Sequence, residues 1–188
     1  MWNSKLVADF GENGLYVCDG AEWTWLANWD IASLKIWKGE LLVIFENNSI
    51  CLFDGVSCCF PDNDKTSCYT MYIGNAENLH IWDNRLIADF GEKGLLLYEN
   101  NSWTGLTGWI PEHIVNWKQG VAADFGDKGV YVYDGSSWTG LTGWNSENLR
   151  VWDDKLAADF GDKGLYVYDG NSWTGLTGWN PENLEPAF

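Results

Sequence analysis

The residues best suited to chemistry in this chain are tryptophans that open short polar loops. Trp29-Asp30, Trp109, Trp144-Asn145 and Trp179-Asn180 each begin such a loop. In the last three, a carboxylate follows three residues after the Trp, at Glu112, Glu147 and Glu182. An aromatic plate beside amide and carboxylate groups suits a sugar, because the ring covers C–H faces while Asn and Glu bond hydroxyls. The alternative is that each Trp packs over a sheet edge while Asn and Glu cap the loop. These ten residues form the candidate ligand-binding set.

Catalysis finds less support. His80 and His113 assemble into no Ser-His-Asp, Cys-His or metal pattern. Asp and Glu are plentiful but recur with the repeat described below, and recurring identical sites imply repeated binding, not one asymmetric reaction centre. A non-enzymatic protein without cofactor or metal is therefore expected. The repeated Asp of Ala-Asp-Phe-Gly (Asp9, Asp89, Asp124, Asp159) could meet a cation together with Asp127 or Asp162. The string lacks the alternating oxygen ligands of a calcium loop, so acceptance of backbone N–H groups is the expected role.

Five cysteines are present, four of them (Cys51, Cys58, Cys59, Cys68) crowded into one segment. The spacing could hold one bridge or a metal, but no second Cys pair or nearby His completes a shell, and free thiols are the simpler reading. An odd count favours a reducing compartment, the cytoplasm, and no secretory signal opens the chain. With 27 acidic and 11 basic side chains the formal charge is −16, and Arg85 and Arg150 are the only arginines. That balance argues against nucleic acid, whose phosphates need clustered Lys and Arg, and against anionic membranes. No apolar run reaches membrane-spanning length.

What positions these residues is a repeat. Phe10, Phe45, Phe90, Phe125 and Phe160 recur at intervals of 35, 45, 35 and 35 residues, in frames such as VAADFGDKGVYVYDG from Val121. Between Gly120–Leu149 and Lys155–Leu184, 25 of 30 positions are identical. The whole chain, 1–188, reads as one domain of five 35-residue units: 1–34, 35–79, 80–114, 115–149 and 150–184. The second carries a ten-residue insertion through Cys58-Cys59-Phe60-Pro61 to Met71. Each unit contains four strand signals, A to D. In the last copy they are Leu149–Trp152, Lys155–Phe160, Leu165–Tyr168 and Trp173–Thr177, separated by Asp-Asp, Gly-Asp-Lys-Gly and Asp-Gly-Asn-Ser turns. No 3.6-residue period extends past two turns, so helix is not expected.

Four antiparallel strands per unit is the pattern of a β-propeller blade, and the regular last repeat favours a closed ring over a capped solenoid. The predicted architecture is an all-β, five-bladed propeller. The signature GLYVYDGxSWTGLTGW resembles short Trp-rich bacterial propeller repeats and, more loosely, five-bladed tachylectin-2-like and tectonin-type propellers. That resemblance implies a fold, and a lectin as one function the fold hosts; no binding residue is carried over from it.

Sorted by repeat, 13 of the 14 tryptophans fall in three sets. Strand A holds Trp2, Trp37, Trp82, Trp117 and Trp152, expected as wedges between sheets. The start of strand D holds Trp23, Trp103, Trp138 and Trp173, expected to cover the blade's outer end. The D-to-A crossings hold Trp29, Trp109, Trp144 and Trp179, the candidate plates. The expected function is multivalent, lectin-like carbohydrate binding by a monomer. The alternative is a protein-interaction scaffold or a propeller module of a larger protein.

Overall fold

A computed structural model describes residues 4–27, 31–47, 50–53, 70–71, 76, 78–100 and 102–185. There is one sheet per repeat, with strands in sequence order, and strand A of sheets 2 to 5 begins two to four residues before the unit bounds read from the sequence. Sheet 1 contains β1 (Leu6–Asp9), β2 (Leu15–Cys18) and β3 (Trp23–Ala27). Sheet 2 contains β4 (Ile31–Trp37), β5 (Glu40–Phe45), β6 (Ile50–Phe53) and β7 (Thr70–Met71). Sheet 3 contains β8 (Asn78–Trp82), β9 (Arg85–Asp89), β10 (Leu95–Glu99) and β11 (Ser102–Thr107). Sheet 4 contains β12 (His113–Trp117), β13 (Gly120–Asp124), β14 (Val130–Tyr133) and β15 (Trp138–Thr142). Sheet 5 contains β16 (Asn148–Trp152), β17 (Lys155–Asp159), β18 (Leu165–Tyr168) and β19 (Trp173–Thr177). The four strands expected of the last repeat appear within one residue of their predicted bounds. Strand A of the first repeat and most of the insertion, with Cys58, Cys59 and Cys68, lie outside the described residues.

The chain divides into two compact units, Met1–Glu77 and Asn78–Phe188. In the first, Leu15 and Val17 of β2 pack with Leu41, Val43 and Phe45 of β5, and with Cys51 and Phe53 of β6. Cys18 is a free thiol, and Cys51 is buried. In the second unit, β12 lies beside both β8 and β16. Asn116 Nδ2 ties the first pair, donating to Ile81 O at 2.7 Å.

Alternation along each strand gives every sheet of the second unit two apolar faces. Sheet 4 turns Val121, Ala123, Phe125, Tyr131 and Tyr133 toward sheet 3. It turns Trp117, Ala122, Val130 and Val132 toward sheet 5. Small alanines in the B strand and large aromatics in the C strand let neighbouring sheets approach and interdigitate.

The expected Gly-Asp-Lys-Gly turn is a single 3₁₀ turn, at Gly126–Lys128 in the fourth repeat and Gly161–Lys163 in the fifth. Phe125 N–H donates to Gly129 O at 3.0 Å, and Gly129 N–H to Gly126 O at 2.7 Å. Gly129 sits at φ +88°, where a Cβ would lie 2.0 Å from Thr142 O. The adjacent C–D ladder shifts register between Val130 and Tyr131 to admit that close approach. Gly94 and Gly164 repeat the arrangement.

Candidate functional site

In the second unit the three tryptophan sets join into one aromatic seam between each pair of neighbouring sheets. Between sheets 3 and 4, Trp82 of strand A meets Tyr133 edge-on (5.9 Å), which meets Trp138 (5.2 Å), which meets Phe125 (5.3 Å). The crossing residue Trp109 ends the row, 5.5 Å from Phe125 and 5.3 Å from Tyr131. Between sheets 4 and 5 the same row reads Trp117, Tyr168, Trp173, Phe160, and then Trp144 against Phe160 (5.5 Å) and Tyr166 (5.6 Å). The near-perpendicular ring pairs follow the quadrupole preference of aromatic contacts.

Among the strand A tryptophans Trp37 is buried, Trp82 and Trp117 are buried wedges between sheets of the second unit, and Trp152 is 44% exposed. Each carries a cation over its ring: Lys38, Arg85, Lys118 and Lys155, at 4.5, 5.0, 4.4 and 5.9 Å respectively. The cation comes from the first residue after the Trp in two repeats and the third in the other two. The signal for this pairing in the sequence is the basic residue that recurs after each of these tryptophans.

The crossing loops are set by Thr-Gly-Trp. The Thr142 hydroxyl accepts the Trp144 N–H at 3.2 Å, and Thr107 and Thr177 do the same for Trp109 and Trp179. This local cap turns the chain at the end of strand D. Lys128 Nζ then lies 5.6 Å from the Trp109 ring centre, and Lys163 Nζ 5.4 Å from that of Trp144. Trp109 and Trp144 remain 38% and 42% exposed, and Trp179 is 84% exposed.

The polar candidates divide. Glu112 N–H donates to Asp124 O and Glu147 N–H to Asp159 O, both at 2.8 Å, extending the A–B ladders. Their carboxylates lie against Gly126 and Gly161, at the starts of the 3₁₀ turns. Asn180 Nδ2 donates to Glu147 Oε2 at 3.3 Å, so two candidates from successive crossings meet. Asn145 and Glu182 are exposed. Trp29 and Asp30 lie outside the described residues.

The repeated Asp of Ala-Asp-Phe-Gly serves its own turn. Asp9, Asp89, Asp124 and Asp159 each accept the N–H two residues on, at 2.9 to 3.1 Å. Asp124 also accepts the N–H (2.7 Å) and hydroxyl of buried Ser146, fastening the crossing to strand B. Burial pushes the Asp124 and Asp159 carboxyls above the usual range, and Glu112 and Glu147 add repulsion. In the C–D turns, Asp134 and Asp169 are held below it by N–H groups of their own turns. Among the described residues no group of three or more His, Cys, Asp or Glu could hold a metal ion. No helix among them is long and apolar enough to cross a membrane.

No protein-family model matches the sequence, and neither does any curated protein. Solved structures that align with the chain include the following two. YCF48 from Cyanidioschyzon merolae aligns over 85% of this chain and 65% of its own, at TM-score 0.52 and 11% identity. PorZ, a surface component of the type-IX secretion system of Porphyromonas gingivalis, aligns over 93% and 26%, at TM-score 0.44 and 15% identity. The chain thus spans just under two thirds of the length of YCF48. At such identities the likeness concerns fold alone. Sheets of three or four antiparallel strands, one per repeat, together with the YCF48 match, give an all-β, propeller-like fold.

Proposed function

We propose that this protein is a non-enzymatic, multivalent binding module that recognises carbohydrate through the crossing tryptophans. The observation carrying this reading is the duplication of Trp109 and Trp144 in matching surroundings. Each rests edge-on against a Phe–Tyr pair, has a lysine over its ring, and leaves about two fifths of its surface to solvent. Packing alone needs no second exposed face, and a fixed aromatic plate loses little entropy on stacking with a sugar ring. Weak identical sites on one chain gain from avidity toward a repetitive glycan.

The test is a glycan array followed by calorimetric titration of Trp109→Leu with Trp144→Leu. Leucine keeps an apolar cover over each Phe–Tyr pair while removing the plate. Saturable binding at several equivalent sites, with stoichiometry falling in the double variant, is expected. An array without hits, or an unchanged stoichiometry, rejects the reading. A protein-interaction scaffold is the second reading, favoured by Ile110, which is exposed beside Trp109; affinity for a protein partner lost in Ile110→Asp would mark it.

We further propose that the five sheets are the blades of one closed ring. The support is a pair of uncovered faces. The positions that sheet 5 covers on sheet 4 recur on sheet 5 as exposed Trp152 and Leu176. The positions of sheet 5 that face sheet 4 recur on sheet 1 as exposed Leu6, Phe10 and Trp23. Each face has the shape its repeat uses elsewhere to bind the next blade.

A further inference from the structure

The seam between sheets 3 and 4 is tied less completely than the seam between sheets 4 and 5. In the latter, Trp117 Nε1 donates to Asp154 O at 2.8 Å and Trp173 Nε1 to Leu141 O at 3.3 Å. Lys118 Nζ adds a bond to Asp169 O at 3.1 Å. The equivalent indole N–H groups of the former seam, on Trp82 and Trp138, are buried without an acceptor among the described residues. A buried donor left unmet is costly, so this seam is held less firmly than the next.

Beside Trp138 runs an open groove of about 490 Å³, within the roughly 300–1,000 Å³ of small-molecule sites. Leu106, which occupies the position of Leu141, lines it together with Trp138. The groove therefore opens at the place where the neighbouring seam is closed by a hydrogen bond.

Its rim departs from the repeat. Glu99-Asn100 stand where the fourth and fifth repeats have Asp134-Gly135 and Asp169-Gly170. Asp134 and Asp169 spend their carboxylates on N–H groups of their own turns. Glu99 instead accepts from Arg85 Nε at 3.0 Å, and Asn100 takes up φ +52°. The result is a neutralised ion pair and a side-chain amide at the rim, with the hydroxyl residues Ser102 and Thr104 along one wall and Leu97 beneath.

We propose that this groove is a second ligand site, taking a neutral, hydroxyl-rich ring: one monosaccharide unit. The Ser102 and Thr104 hydroxyls donate to ligand oxygens, Glu99 and Asn100 accept from hydroxyls, and Leu97 and Leu106 meet the C–H face, with Trp138 lining the groove beside them. A charged ligand is disfavoured because Arg85 and Glu99 already neutralise each other. The groove runs along β11 from Ser102 to Leu106, and neither Trp109 nor Trp144 lines it. The proposal therefore does not depend on the crossing tryptophans.

The test follows the indole N–H signals in ¹H–¹⁵N spectra, assigned with Trp138→Phe and Trp173→Phe. Glucose, galactose, mannose and N-acetylglucosamine are titrated in turn. A saturable shift of the Trp138 signal with at least one sugar, while Trp173 stays still, is expected. Glu99→Asp with Asn100→Gly restores the common turn and should raise the dissociation constant about tenfold or more. Thr104→Val supplies the same readout should the turn variant fail to fold. Trp109→Leu with Trp144→Leu should leave the Trp138 shift in place, which separates this site from the crossing face. A Trp138 signal unmoved by all four sugars, or moved equally in the groove variants, would falsify the proposal.

Discussion

Asp124 illustrates how single side chains hold this fold together. Its carboxylate gathers the Gly126 and Ser146 N–H groups and the Ser146 hydroxyl inside the protein. The burial cost is partly offset by charge-assisted hydrogen bonds, yet the carboxyl is still pushed upward. Ser146→Ala removes one such bond and should cost about 1.5–3 kcal/mol, read by chemical denaturation. The deficit should widen as pH rises, because the hydroxyl favours the charged form. For Asp124 and Asp159, whose native carboxyls titrate above the ordinary 3.8, the folded state binds the proton more tightly than the unfolded chain. Their contribution is therefore fullest below that value and is lost as pH rises through the folded one. Asp134 and Asp169 act in the opposite sense. Their lowered values give stability that is present above 3.8 and lost as pH falls through the folded value. Asp134→Ala should thus lower the melting temperature at neutral pH, and the gap from the parent protein should close on acidification.

At the scale of elements, the turn glycines and the aromatic rows decide how closely strands and sheets approach. Gly129→Ala places a methyl against Thr142 O at a positive φ. The substitution should cost about 1–3 kcal/mol as strain and overpacking, measured by denaturant unfolding, whereas the open position Gly143 should tolerate alanine. The strands, their order within each repeat and the turn role of Asp9, Asp89, Asp124 and Asp159 were legible because they follow from local alternation and turn chemistry. What joins one repeat to the next was not. The row from Trp82 through Tyr133 and Phe125 to Trp109 links residues from two repeats, and a repeat period does not reveal which face meets which. For the same reason the sequence did not show that the backbone N–H groups of Glu112 and Glu147 extend the following sheet's ladder. The different tightness of the two seams also escaped the repeat alignment, since Trp138 and Trp173 occupy one position and differ only in whether Nε1 finds a carbonyl.

For the whole molecule, the central matter is whether five copies of a two-faced sheet leave two faces bare. A single repeat cannot bury both sides, so each sheet depends on its neighbours, and terminal faces need either a cap or each other. Trp117 shows what a covered face provides: the ring is 6% exposed, packed on Tyr168, and bonded through Nε1 to Asp154 O. Trp117→Ala should therefore cost about 3–5 kcal/mol, as for a large aromatic removed from a core. Trp152 is the same residue one repeat later, with Lys155 over its ring. Under the closed-ring proposal, Trp152→Ala should cost nearly as much as Trp117→Ala, because a blade covers it too. With the face open, the loss should stay near that of a surface substitution, within about 0.5 kcal/mol. Denaturant unfolding of the two variants side by side decides between these outcomes, and fluorescence quenching by iodide checks them. Closure requires the Trp152 contribution to be as protected from the quencher as that of Trp117, and a freely quenched Trp152 with a small stability loss rules it out.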